Sequence, residues 1–410
     1  MIARAVPLVA ALCFVPGLAD AARLDAPIAA QACDAIAAHV DAVSGSAPLF
    51  LRSYDDTDEP ALRTAAFTYD NALAVMALIA CGKPVQAERV GRALRSAIVS
   101  DARLRNAYRA GPIDAQPLPN GWWDAAGQHW AQSPDQMGTS TGNAAWAALA
   151  MLALHDATGE AAWLDAARRI ARWIADKSAD AHGPGGFKGG IEGDDEHAHR
   201  VGWKSTEHNI DAAALFERLS AADPNAGWQT HADAARHFVT AQWSEDHFLI
   251  GTRDDSVTPN RDTAAVDVEF WPPLLRDAPK AWCASLAYAE RVHGVDGGFD
   301  FNADRDGLWT EGTAQAALAY TQCGQVGAAS RWLASVAAQR SAGGYIYATR
   351  EARITTGLAL GSASGNADFY YYRRPHLGAT AWAVFAGRRW NPFTGKRVDL
   401  IVGSGASAKQ

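Results

Sequence analysis

The sequence predicts an all-α protein, an (α/α)6 toroid of helical hairpins. Three observations carry that expectation. Segments that are apolar nearly all round alternate with amphipathic ones. The apolar segments open on similar polar clusters. Those openings recur at roughly 40 to 75 residues, close to the range in which self-similarity marks repeated supersecondary units.

The apolar segments are Asn71 to Ala80, Ala144 to Leu154, Ala212 to Leu219, Ala314 to Tyr320 and Ala379 to Ala386. A helix without a polar face has to be buried. Between them, Val85, Val90, Leu94 and Ile98 fall on one helical face, as do Trp163, Ala167, Ile170 and Ile174, and Trp228, Ala232, Ala235 and Val239. Apolar residues at three- and four-residue steps mark helices that cover a core from outside. The openings read Thr68-Tyr69-Asp70-Asn71, Ser140-Thr141-Gly142-Asn143, Ser205-Thr206-Glu207-His208-Asn209, Trp309-Thr310-Glu311-Gly312 and His376-Leu377-Gly378. A sixth, less regular opening is Val266-Asp267-Val268-Glu269-Phe270-Trp271. Six buried helices running parallel inside a ring bring their N-terminal ends to one face. Strand signals are short: His247 to Thr252 and Tyr345 to Thr349.

Residues 1–21 read as a signal peptide: Arg4, the apolar stretch Ala5 to Leu18, then the small residues around Ala21. Leu12 before Cys13 is too large for a lipoprotein signal. The expectation is an exported chain, periplasmic or extracellular, with no membrane span. Residues 22–395 form one toroid domain and residues 396–410 a loose tail. The net charge of -8 argues against a nucleic-acid partner. Export permits disulfides; Cys33 with Cys81 and Cys283 with Cys323 are candidate pairs, and buried free thiols are the alternative.

The candidate chemistry sits at the openings. Asp70, Glu207, Asp211, Asp267, Glu269 and Glu311 lie at or near the starts of buried helices. A single acidic residue there can simply complement the helix dipole. Several converging in a ring repel one another and raise each other's pKa. Glycosidic-bond hydrolysis needs such a set: a protonated acid for the leaving oxygen and an ionised partner. Glu207 is the expected acid, with Asp70 and Glu311 as candidate bases.

The chain holds 15 tryptophans, several of them outside the core stripes. Trp122, Trp123, Trp130, Trp203, Trp271 and Trp309 beside acidic groups suit stacking on sugar rings. Tyr69, Asn143, His208, Tyr371 and His376 complete the expected substrate-binding set. Asn302-Ala303-Asp304-Arg305-Asp306-Gly307 resembles the start of a calcium loop, but its twelfth position is Thr313 rather than Glu. A capped turn is therefore expected, as is a solvated loop at His197 and His199, and no cofactor is assigned.

The hairpin repeat, with Thr68 to Leu73, Ser205 to Asp211 and Trp309 to Gly312, resembles the six-hairpin glycosidase superfamily of bacterial secreted proteins, over roughly Cys33 to Phe393. The resemblance implies a glycoside hydrolase acting on a poly- or oligosaccharide. Related toroids carry polysaccharide lyases and sugar epimerases, for which Tyr69, His208, Arg373 and His376 are the candidate groups. A non-catalytic glycan-binding protein is a third reading.

Overall fold

The computed structural model describes residues 27–98, 103–359 and 368–400; the signal peptide expected at 1–21 lies outside them. The helices are α1 (Pro27–Asp41), α2 (Thr68–Ala80), α3 (Pro84–Ser96), α4 (Pro134–Met137), α5 (Thr141–Thr158), α6 (Ala161–Ser178), α7 (Thr206–Ala222), α8 (Trp228–Ala241), α9 (Asp267–Phe270), α10 (Ser285–Val292), α11 (Thr310–Gln322), α12 (Val326–Ala337) and α13 (Leu377–Arg388). The (α/α)6 toroid is present as expected. Helices α2, α5, α7, α9, α11 and α13 form the inner ring, each packed on the next, and α13 closes it against α2. Five outer helices, α3, α6, α8, α10 and α12, each follow an inner one. The sixth hairpin is built differently: α13 packs on α1, so it joins the first and last helices of the described chain.

The inner helices are buried on every side because their residues are small and apolar, as in Ala144 to Leu154. Helix α9 is the exception in length. It ends at Phe270 because Pro272 and Pro273 supply no backbone donors and block continuation; a short 3-10 turn, Pro272–Leu274, completes its place in the ring. Outside, the α6 and α8 stripes are buried as expected. Val85 departs from the α3 stripe at 74% exposed, because it lies beside Pro84 in the first turn.

Aromatic rings fill the ring axis one turn below the polar openings. Trp271 stacks on Trp382 at 5.9 Å between centroids, Trp146 meets both edge-on, and Phe393 closes the group at 5.0 Å from Trp146. Such pairs add roughly 0.5–1.5 kcal/mol each beyond the area they bury.

Short antiparallel pairs hold the openings in place. Ala65–Phe67 pairs with Ala107–Arg109 ahead of α2, Thr139–Ser140 with Gly190–Glu192 ahead of α5, and Pro375–His376 with Ile346–Tyr347 ahead of α13. A longer antiparallel pair joins Arg353–Ala359 to Asp368–Tyr372. Cys33–Cys81 and Cys283–Cys323 are both disulfides, with Cα atoms 5.8 and 5.9 Å apart. Lys396–Arg397 pairs with Trp390–Asn391 and Val398 is buried, so ordered chain passes the boundary expected at residue 395.

Candidate active site

Side-chain caps fix the first turns of three inner helices, α5, α7 and α13. The Ser140 and Ser205 hydroxyls accept from the Asn143 and His208 amides, and His376 Nδ1 accepts from the Ala379 amide. Such caps satisfy donors that a helix start leaves free. They also fix where the next side chains project.

Two groups of titratable side chains result. In the first, His376 lies between two carboxylates: Nε2 is 3.5 Å from Asp70 Oδ2 and Nδ1 is 3.5 Å from Glu311 Oε2. Tyr54 stacks on the imidazole at 4.5 Å. Tyr69 donates its hydroxyl to Glu311 Oε1 at 2.7 Å, and Trp382 Nε1 donates to that hydroxyl at 2.8 Å. Burial works against charge on His376, but Asp70 and Glu311 outweigh it and hold the ring above its ordinary pKa. The cap bond to Nδ1 leaves the ring proton on Nε2, facing Asp70. Burial pushes Glu311 up to about 7; His376 opposes that rise and the charge of Asp70 adds to it.

The second group is Glu207, Asp211 and Asp267, with His208 beside them. Burial raises Glu207 well above the usual carboxylate range, and Asp267 and Glu311 push it further. Asp211 is raised by burial and then by Glu207 and Asp267. Burial takes Asp267 up to about 7. His208 goes the other way, to about 4, because burial disfavours its charged form. Its Nε2 lies 3.1 Å from the Ser140 hydroxyl, and Trp203 packs on it at 5.5 Å. The site therefore holds carboxyls pushed toward the protonated form, one imidazole pushed toward neutrality and one biased toward charge.

Glycine makes the crowding possible. A Cβ on Gly378 would come within 2.6 Å of Glu311 Oε2 and 2.8 Å of Asp70 Oδ1, and one on Gly142 within 2.9 Å of Asp211 Oδ2. A bare backbone at the second position of α5 and α13 lets carboxyls from neighbouring helices lie over it.

A pocket opens beside the first group, lined by Tyr54, Phe67, Tyr69, Asp70, Asn143, Phe369, Tyr371 and His376. Five of these, Tyr69, Asp70, Asn143, Tyr371 and His376, were expected from sequence. Glu207, Asp211, Asp267 and Glu311 are linked to Asp70 and His376 through their mutual charge effects, and His208 lies beside Ser140 and Trp203.

Other expected residues lie elsewhere. Glu269 accepts from the Phe248 amide at 3.1 Å, and so serves the chain turn beside α10 rather than the pocket. Trp271 is enclosed in the aromatic axis and Trp309 packs under Tyr371 and Phe301; both shape the site from beneath, where sugar cannot stack on them. Trp122 and Trp123 form one strand of a surface hairpin whose partner carries Trp130; Trp123 and Trp130 are 56% and 48% exposed. Sequence reasoning missed Tyr54, Phe67 and Phe369, which sit in irregular or strand segments without periodicity. Ser140 was visible only as a member of a repeated opening, and Trp382 only as part of the apolar segment Ala379 to Ala386.

No protein-family model matches the chain, and no curated protein matches its sequence. Solved structures do match in shape. Cellobiose 2-epimerase from Spirochaeta thermophila is 14% identical with a TM-score of 0.65, over 92% of this chain and 98% of that one. A glycosidase solved with glucose is 15% identical with a TM-score of 0.56, over 89% and 96%. A novel alpha-amylase from Clostridium perfringens is 9% identical with a TM-score of 0.56, over 83% and 94%. The chain has the six-hairpin glycosidase-like fold. At these identities the likeness establishes architecture, and the neighbours sharing it are enzymes of carbohydrate chemistry. Among the described residues, no helix is long and apolar enough to cross a membrane.

Proposed function

We propose that this protein is an exported glycoside hydrolase that cleaves a poly- or oligosaccharide with paired carboxylates. One observation carries the reading: Glu207, pushed toward its protonated form by burial and by Asp267 and Glu311, is linked through Glu311 to Asp70, which lies 3.5 Å from His376. Glu207 is only half-buried, and it is the group assigned to protonate the glycosidic oxygen. Asp70 takes the proton of the attacking water, and Glu311 and Tyr69 hold His376 and the substrate hydroxyls in place. Water adds its oxygen to the anomeric carbon as the bond to the leaving oxygen breaks. The exposed Trp123 and Trp130 offer stacking faces for distal sugars. Two disulfides fit an oxidising compartment outside the cytoplasm.

A second reading, sugar epimerisation, has its own support. Proton removal beside a carbonyl and its return on the other face call for one neutral and one charged imidazole, and His208 and His376 are biased in those two directions. Product analysis after incubation with a panel of bacterial and plant glycans separates the two. Hydrolysis creates new reducing ends and is reduced roughly 10²- to 10⁴-fold in Glu207→Gln. Epimerisation leaves the number of reducing ends constant and exchanges one carbon-bound hydrogen with solvent deuterium. Full hydrolytic activity in Glu207→Gln overturns the acid assignment.

A further inference from the structure

We infer that Asp300, Asp304 and Asp306 form a calcium site that fixes the longer strand pair walling the pocket. One carboxylate oxygen from each lies within 4.8 Å of those of the other two. Oxygens around one Ca²⁺ sit at about 2.3–2.6 Å from it and so at most ~5 Å apart, which this spacing meets. Asp304 and Asp306 face solvent, but Asp300 is 0% exposed, and its Oδ2 has no hydrogen-bond partner. A buried carboxylate oxygen without a donor is costly unless a proton or a cation satisfies it.

The turn expected from sequence is present: the Asp304 amide donates to Asn302 Oδ1 at 3.0 Å and the Asp306 amide to Asp304 Oδ1 at 3.1 Å. That turn leaves Asp300 Oδ2 unexplained. Read from Asp300, the acidic and amide side chains alternate as Asp300, Asn302, Asp304 and Asp306, the spacing of an oxygen-ligand loop. Arg305, the cationic residue within the loop, turns its guanidinium to the Val292 carbonyl at 2.9 Å. Two solvent-facing ligands leave room for waters, which suits the flexible coordination of Ca²⁺ better than the strict octahedron of Mg²⁺.

The loop is tied to that strand pair. Thr355 donates its hydroxyl to Asp304 Oδ2 at 2.5 Å and its amide to Asp306 Oδ2 at 2.9 Å. The paired strand carries Phe369 and Tyr371, which line the pocket, and Tyr371 packs 5.3 Å from Trp309. A cation at the loop therefore fixes that wall as well as the loop.

The test uses chelator-treated full-length protein titrated with CaCl₂ and, separately, MgCl₂. Calorimetry is expected to give one Ca²⁺ per chain with a Kd on the order of 10⁻⁴ to 10⁻³ M, and calcium is expected to raise the melting temperature. Asp306→Asn, at an exposed ligand, abolishes both responses, whereas Asp296→Asn, at an exposed acid outside the cluster, retains them. No response in the wild type up to about ten times that Kd range, or an unchanged response in Asp306→Asn, overturns the site. An equal response to Mg²⁺ overturns its assignment to calcium.

Discussion

Replacing Glu311 with Gln tests whether the ring of carboxyls carries electrostatic strain. Glu311 is 1% exposed, and its pKa rises from 4.5 to about 7. A carboxyl whose folded pKa is raised holds its proton when the unfolded chain has lost it. Stability therefore falls as pH climbs from the unfolded value to the folded one, and is flat beyond. Two to three pKa units correspond to about 3 kcal/mol. Gln keeps the shape and still accepts from Tyr69, but it cannot ionise. Glu311→Gln should match the wild type near pH 5 and exceed it by about 3 kcal/mol near pH 8.5, or roughly 4 °C for a chain of this size. Urea unfolding at both pH values reads the difference. The reasoning fails if the stability gap is the same at both, or if the wild type gains on the variant as pH rises.

Three further outcomes follow from the same geometry. His376→Asn removes the charge that restrains Glu311, so the pH-dependent loss of stability should extend to higher pH while turnover falls at least tenfold; unfolding and rate profiles against pH read both. Trp123→Ala with Trp130→Ala should leave the melting temperature unchanged and raise KM for long glycans, with little effect on kcat for short ones. Opening Cys283–Cys323 with paired Ser substitutions removes a link across 40 residues, and chemical denaturation should show a loss of about 4 kcal/mol.

The ring was legible because its two helix types differ in hydrophobic periodicity, and that signal survives in Asn71 to Ala80 and Ala144 to Leu154 without any knowledge of contacts. The acidic first turns were legible for a related reason: similar polar clusters recur at the openings, although only Ser140, Ser205 and His376 cap their helices. Direction was not. Asp267 and Glu269 are two residues apart on one short helix, yet one joins the site and the other binds the Phe248 amide, because α9 is a single turn whose course is set by Pro272 and Pro273. Trp271 and Trp123 looked alike in sequence; ring closure buries one and a surface hairpin exposes the other. The acidic turn was read from Asn302, without Asp300. Asp300 belongs to the turn only through its buried position, which periodicity does not encode.

The sixth hairpin has a consequence for how the protein matures. Its two helices, α1 and α13, lie at opposite ends of the described chain, so their contact is the most non-local in the fold and the slowest kind to form. Cys33–Cys81 ties α1 to the end of α2 and so prepares one side of the seat that α13 enters. Asp70, Glu311 and His376 come from α2, α11 and the entry to α13, the elements that meet at this seam. A ring without α13 in place therefore lacks the His376 bridge between its two acids.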